Sequence, residues 1–165
     1  MIVATGSATS QYVFTVSTMG AVVVKSGMTY GGDLAELYPS REAVSAGDVV
    51  MLDAAWGGVA VRKALRGRGA ALGVVATRPG LTIGMADLGD SSRSAVTLSG
   101  RVPVRVSLEN GPVLAGTMLA ASSVPGCAAA AVDSGRVIGF ALEDFIPEAG
   151  RAEGTVLCFV HVQDW

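Results

Sequence analysis

The stretch Arg101–Leu142 reads RVPVRVSLENGPVLAGTMLAASSVPGCAAAAVDSGRVIGFAL, a series of short β-prone runs cut by turn residues. Val102, Val104 and Val106 alternate with Arg101, Pro103 and Arg105, which gives one buried and one solvated face to a strand. Pro103 has no backbone N–H to donate. Its strand therefore lies at an edge, or the proline faces away from its neighbour. Glu109-Asn110-Gly111-Pro112 has the chemistry of a tight turn, in which Asn-Gly supplies positive φ. The stretch predicts a compact all-β domain of β-barrel or β-clip-like kind.

An earlier part of the chain repeats this plan. Ala46–Leu52, Val59–Ala64 and Leu72–Ala76 run parallel in pattern to Ala115–Ala120, Cys127–Ala131 and Val137–Ala141. Each copy has a glycine turn, an apolar strand, a loop, a short strand, a loop and a third strand with an early glycine. Gly47 and Gly116 lie 69 positions apart, and Gly73 and Gly139 lie 66 apart. Two copies, spanning about 45–77 and 114–142, are too few for a solenoid and predict an internal pseudo-duplication. The early glycine of the third strand marks a bulge or a close backbone approach. Its recurrence in both copies favours that structural role over a groove for a ligand.

Outside the copies, Thr155–Val162 (TVLCFVHV) reads as a strong strand. Thr77-Arg78-Pro79-Gly80 reads as a turn, and Gly84–Ser94 as a polar, flexible loop. Gln11–Lys25 predicts two strands joined by a turn at Thr18-Met19-Gly20, preceded by a small-residue arm, Ala4–Ser10, with too little apolar surface to fold alone. The chain thus divides into an N-terminal arm and hairpin, 1–32, and a β domain, 33–165. The arm and hairpin are expected to pair with that domain or with a neighbouring subunit.

Half of the 165 residues are hydrophobic, yet only 5% are aromatic and 16% charged, and glycine is abundant at 22. Small and β-branched residues with frequent glycines suit tightly turned sheets. Low charge with a mean hydropathy of +0.50 points to a subunit interface that hides part of the apolar surface. A net charge of −2 carries no electrostatic footprint for nucleic acid. The local basic run Arg62, Lys63, Arg66 and Arg68 reads first as a solvated strand-and-turn edge and second as a polyanion contact. No stretch reaches the roughly 18–20 apolar residues of a membrane span. The N-terminus lacks the basic start and long apolar run of a signal peptide, so a protein acting outside a cell would leave by lysis, by another route or within a longer precursor. Cys127 and Cys158 read as buried free thiols rather than a disulfide, a pairing that spacing leaves open. One histidine and two cysteines give no zinc spacing, and no cofactor is expected.

Four residues stand out as candidates. Asp33 and Glu36, three apart, fit a metal or acid–base pair, or else a helix cap at Asp33 over a single turn with a solvent-facing or ion-paired Glu36. Trp56, in Ala55-Trp56-Gly57-Gly58, is the best exposed aromatic for a sugar, or else it packs over a strand or subunit. His161 reads as a core or interface side chain, since a catalytic histidine needs a nucleophile and an orienting group. Ser122-Ser123 is the best nucleophile, but no motif positions it. Phosphate-binding glycine motifs are absent.

Taken together, Asp33–Pro39 (DLAELYP), Ala46–Val50 (AGDVV), Leu72–Gly80 (LGVVATRPG), Val102–Val106, Glu109–Pro112, Ser122–Gly126 and Gly135–Glu143 resemble the C-terminal domains of phage tail-spike, appendage and bacterial surface-fibre proteins. The resemblance runs from about Gln11 to Val162. It implies a homotrimeric β architecture whose best-studied members are intramolecular chaperones that cleave themselves from the fibre. In such members the scissile bond lies just upstream of the segment matching Asp33–Glu36. Here Gly31-Gly32 occupies that junction and offers no local nucleophile. The expectation is therefore a structural, non-enzymatic module of a virion or an extracellular or cell-surface fibre. Its partners would be itself as a trimer, other virion or fibre proteins, and as a further option a capsid or surface glycan. A self-cleaving domain is the alternative.

Overall fold

The structure, a computed structural model, describes residues 2–5, 12–16, 22–24, 32–57, 60–83, 93–146 and 150–165. Strands β1 (Ile2–Thr5), β2 (Tyr12–Val16) and β3 (Val22–Val24) form a small antiparallel sheet of their own, so the expected hairpin is present and the start of the arm pairs with it. The expected turn at 18–20 and the rest of the arm lie outside the described residues.

The remaining strands form one sheet of ten: β4 (Gly32–Pro39), β5 (Val49–Leu52), β6 (Val61–Lys63), β7 (Ala71–Val75), β8 (Leu81–Ile83), β9 (Arg93–Ser107), β10 (Met118–Ala121), β11 (Ala128–Ala130), β12 (Arg136–Ala141) and β13 (Glu153–Asp164). The protein is an all-β domain. Helix among the described residues is limited to one 3-10 turn, Ala54–Trp56, capped by the Asp53 carboxylate on the Ala55 N–H.

The duplication is visible in the pairing itself. In the first copy β5 pairs antiparallel with β6 and β7, and in the second β10 pairs antiparallel with β11 and β12. The third strand of each copy then pairs with a following strand, β7 with β9 and β12 with β13. That following strand also pairs with the strand preceding the copy, β9 with β4 and β13 with β9. A parallel bridge closes each circuit, Ser40 to Val61 in the first and Val106 to Ala128 in the second. The 15-residue strand β9 ends the first circuit with its N-terminal half and opens the second with its C-terminal half. The repeated unit is therefore larger than the copies read from sequence.

The matched glycines hold equivalent positions. Gly47 and Gly116 turn with φ of 87° and 88° before the first strand of each copy. A Cβ on Gly73 would sit 2.2 Å from the Thr97 carbonyl oxygen, and one on Gly139 would sit 2.0 Å from that of Phe159. Close backbone approach thus explains both, and the β5–β7 and β12–β13 registers shift nearby.

Pro103 sits in the middle of the sheet opposite Leu157. The N–H of Arg105 donates to Gly47 O on the side away from β13, so by alternation the missing donor of Pro103 falls on that side too. Of the two alternatives for this proline, facing away is the one realised. Val102, Val104 and Val106 are buried and Arg101 is exposed, as the alternation requires. They join Leu119, Ile138, Val156, Cys158 and Val160 in the larger core, while Val50, Val61, Val75 and Val96 form a smaller one. Each fully buried valine contributes roughly 1.5–3 kcal/mol of apolar transfer. Cys127 and Cys158 are both buried and free.

Two expectations need correction. The helical turn at Asp33 does not form: residues 32–39 are strand β4, because pairing to β9 on one side and β8 on the other outweighs the helix preference of Leu34, Ala35 and Glu36. The loop expected over Gly84–Ser94 is shorter at its end, since Arg93 and Ser94 already belong to β9, and 84–92 lie outside the described residues.

Candidate assembly surface

The strand alternation that buries one face of β12, β13 and β9 leaves the other outside. On it, Met118 is registered with Phe140, Phe140 with Phe159, and Phe159 with Arg101. This row crosses four strands. Phe140 and Phe159 stack with ring centroids 5.6 Å apart and planes at 22°. The next row pairs Leu157 with Pro103, and Leu142, whose N–H donates to Leu157 O, extends it outward. Met118, Phe140, Phe159, Leu157 and Pro103 are only partly buried and Leu142 is exposed. The result is a contiguous apolar stripe on the outer face, with Arg101 and His161 beside it.

His161 is exposed at the end of this face, opposite Ser99. The core alternative for this residue is overturned, because Val156, Cys158 and Val160 take the inward positions of β13 and the period of two sends His161 outward. Asp33 and Glu36 are separated by the same rule. Asp33 is buried and accepts from the Thr97 hydroxyl at 2.6 Å and from the Gly80 N–H at 3.1 Å, tying β4 to β9 and to the residue before β8. Glu36 is partly buried and accepts from the Tyr38 hydroxyl at 2.8 Å. Burial first, and the Glu36 carboxylate second, push the Tyr38 phenol up to about 12. Three residues apart on a strand, the two acids face opposite ways and do not converge on a metal. Among the described residues no group of three or more His, Cys, Asp and Glu is placed to hold one.

Trp56 is 44% exposed on the 3-10 turn, with the Arg41 guanidinium 5.2 Å from its ring centroid. Ser122 is buried and donates to Val124 O within its own turn. Ser123 is exposed; its hydroxyl and N–H both bond to Glu109, which also pairs with Arg66 at 2.7 Å. These contacts fasten the Ser122–Gly126 turn to the Glu109–Pro112 turn. No helix among the described residues is long and apolar enough to cross a membrane.

Two features were missed in the sequence. The Phe140–Phe159 row carries no motif; its signal is the outward half of two alternating strands, legible only once their register is known. Asp48, next to Gly47, carries no sequence signal beyond that of a glycine turn. It is fully buried, paired with Arg105 at 2.7 Å and Lys63 at 3.6 Å, and takes the Ser45 N–H, so one carboxylate joins the two halves of the chain.

No family model and no curated protein matches this chain. Among solved structures, the C-terminal fragment of bacteriophage phi29 gene product 12 is similar at a TM-score of 0.55 and 16% identity, over 78% of this chain and 99% of that one. Pre-mature gene product 12 of the same phage is similar at a TM-score of 0.58 and 15% identity, over 90% of this chain and 24% of that one. The chain therefore shares its fold with a C-terminal segment of a bacteriophage protein.

Proposed function

We propose that this chain is a structural, homotrimeric module of a phage particle or surface fibre, assembled through the outer face of β12, β13 and β9. The observation that carries the reading is the Met118–Phe140–Phe159 row with Leu157, Pro103 and Leu142 beside it. A stacked aromatic pair left half-covered on a domain with so few charges is best buried against another copy, and a symmetric assembly repeats the gain on every subunit. The fold shared with gene product 12 of bacteriophage phi29 supports the phage context.

Self-cleavage is the second reading, favoured by the likeness to a pre-mature form of gene product 12 that extends well beyond the matched segment. The junction in question, Gly31-Gly32, ends where β4 begins, and the Asp33 carboxylate beside it is already engaged by Thr97 and Gly80. Native mass spectrometry separates the readings. Trimers of intact 165-residue subunits are expected. A monomer at micromolar concentration would defeat the assembly reading, and subunits shortened near Asp33 would favour self-cleavage instead.

A further inference from the structure

The basic run noted in the sequence is only partly neutralised by the fold. Arg66 turns away to Glu109, and Lys63 leans on Asp48. Arg62 and Arg68 form no ion pair among the described residues. Both line a pocket of about 330 Å³ with Lys63, Leu65, Glu42 and Pro125. The Nε of Arg62 is shut off from solvent and has no hydrogen-bond partner among the described residues. A buried guanidinium nitrogen with nothing to donate to is uncommon, because leaving such a donor unmet costs its full desolvation.

The pocket is built by packed turns. The β6–β7 loop folds back through an Arg68 N–H to Leu65 O bond of 3.1 Å with Gly67 at φ 73°, which returns Arg68 toward the strand that carries Arg62. The Ser122–Gly126 turn of the second copy docks on this loop through Arg66 N to Ser122 O, 2.8 Å, and Gly126 N to Ala64 O, 3.0 Å. Gly126 is wedged so closely that a Cβ would meet Asp48 Oδ1 at 2.8 Å. Two turns, one from each copy, thus hold the walls in place.

We propose that this pocket binds a compact oxyanion, a phosphate or a carboxylate, carried on a hydroxylated molecule such as a sugar. The Arg62 and Arg68 guanidinium groups, without an ion pair among the described residues, supply charge and donors for the oxyanion, Leu65 and Pro125 supply an apolar wall, and the Glu42 carboxylate on the Lys63 N–H supplies an acceptor for a hydroxyl. This site is distinct from the assembly face and does not depend on it.

Titration of the intact protein with inorganic phosphate, with glucuronate and with neutral glucose, followed through backbone amide shifts, tests the proposal. Millimolar phosphate or glucuronate is expected to move the amides of Arg62, Lys63, Leu65 and Arg68, and which of the two binds more tightly identifies the anion. Arg62→Gln and Arg68→Gln are each expected to weaken binding about fivefold or more. Arg68 is exposed, so its variant keeps the fold even if Arg62→Gln does not. Arg66→Gln removes the same charge outside this pocket and is expected to leave binding unchanged. Equal loss in Arg66→Gln, equal shifts with glucose, or no shift at about 20 mM of either anion would overturn the site.

Discussion

Gly73 and Gly139 are kept as glycine by one kind of contact, a neighbouring strand's carbonyl oxygen standing where a Cβ would be. Gly139 adds a backbone φ of 152°, which side chains rarely adopt. Gly116 also has positive φ, but nothing lies within 4 Å of its missing Cβ. Gly139→Ala should therefore cost roughly 3 kcal/mol or more, against about 1 kcal/mol for Gly116→Ala. Urea unfolding of the two variants checks this, and equal losses would mean the close approach relaxes freely. Cys158 gives a second residue-level consequence. Burial alone pushes its thiol up to about 12. The unfolded chain loses that proton near pH 8.5–9 and the folded chain does not, so the stabilisation is complete below that range and is lost as pH rises toward 12. Stability should fall by about 1 kcal/mol per pH unit between roughly pH 9 and 11, and Cys158→Ala should flatten this slope. Denaturant midpoints at pH 8 and 10.5 under reducing conditions would show it, and an unchanged slope in the variant would assign the loss to other groups such as Tyr38.

At the scale of elements, β9 and β13 are the frame on which both copies hang. β9 pairs with β4, β7, β11 and β13, whereas β8, among the described residues, pairs only with β4 and leaves Leu81 and Ile83 exposed. Amide exchange should accordingly be slowest in Val102–Val106 and Val156–Val160 and much faster in Leu81–Ile83. Comparable protection in β8 would contradict this ranking. The same contrast explains what was readable beforehand. Alternation at Val102–Val106, the Asn110-Gly111 turn and the matched glycines are local signals, and each has a local cause in the structure. Strand β4 departs from the helical turn that DLAELYP suggests, because that composition is helix-forming while its conformation is set by partners about 60 residues away on β9. Asp33, Glu36 and His161 drew notice as chemically capable types, but only the register reveals that one faces in and two face out. The stripe around Phe159 escaped for the same reason, since it belongs to four strands at once.

For the whole molecule, the proposed assembly through the outer stripe couples stability to concentration. If melting takes a folded trimer to three unfolded chains, a tenfold dilution removes about two-thirds of 1.4 kcal/mol per subunit, roughly 0.9 kcal/mol. For a chain of this size that corresponds to a Tm lower by about 2–4 °C per decade of concentration. Phe159→Glu breaks the stack with Phe140 and places a charge on the face to be covered, while its backbone pairing to Phe140 and Arg101 is untouched. This variant should sediment as a monomer, retain the β-sheet circular dichroism of the parent and melt at a temperature independent of concentration. The Arg62–Arg68 pocket, built from turns remote in register from that row, should keep its anion response in the same variant. A parent protein whose Tm stays constant from about 1 to 100 µM would remove the assembly face from the account and leave the stacked phenylalanines as surface packing within a single subunit.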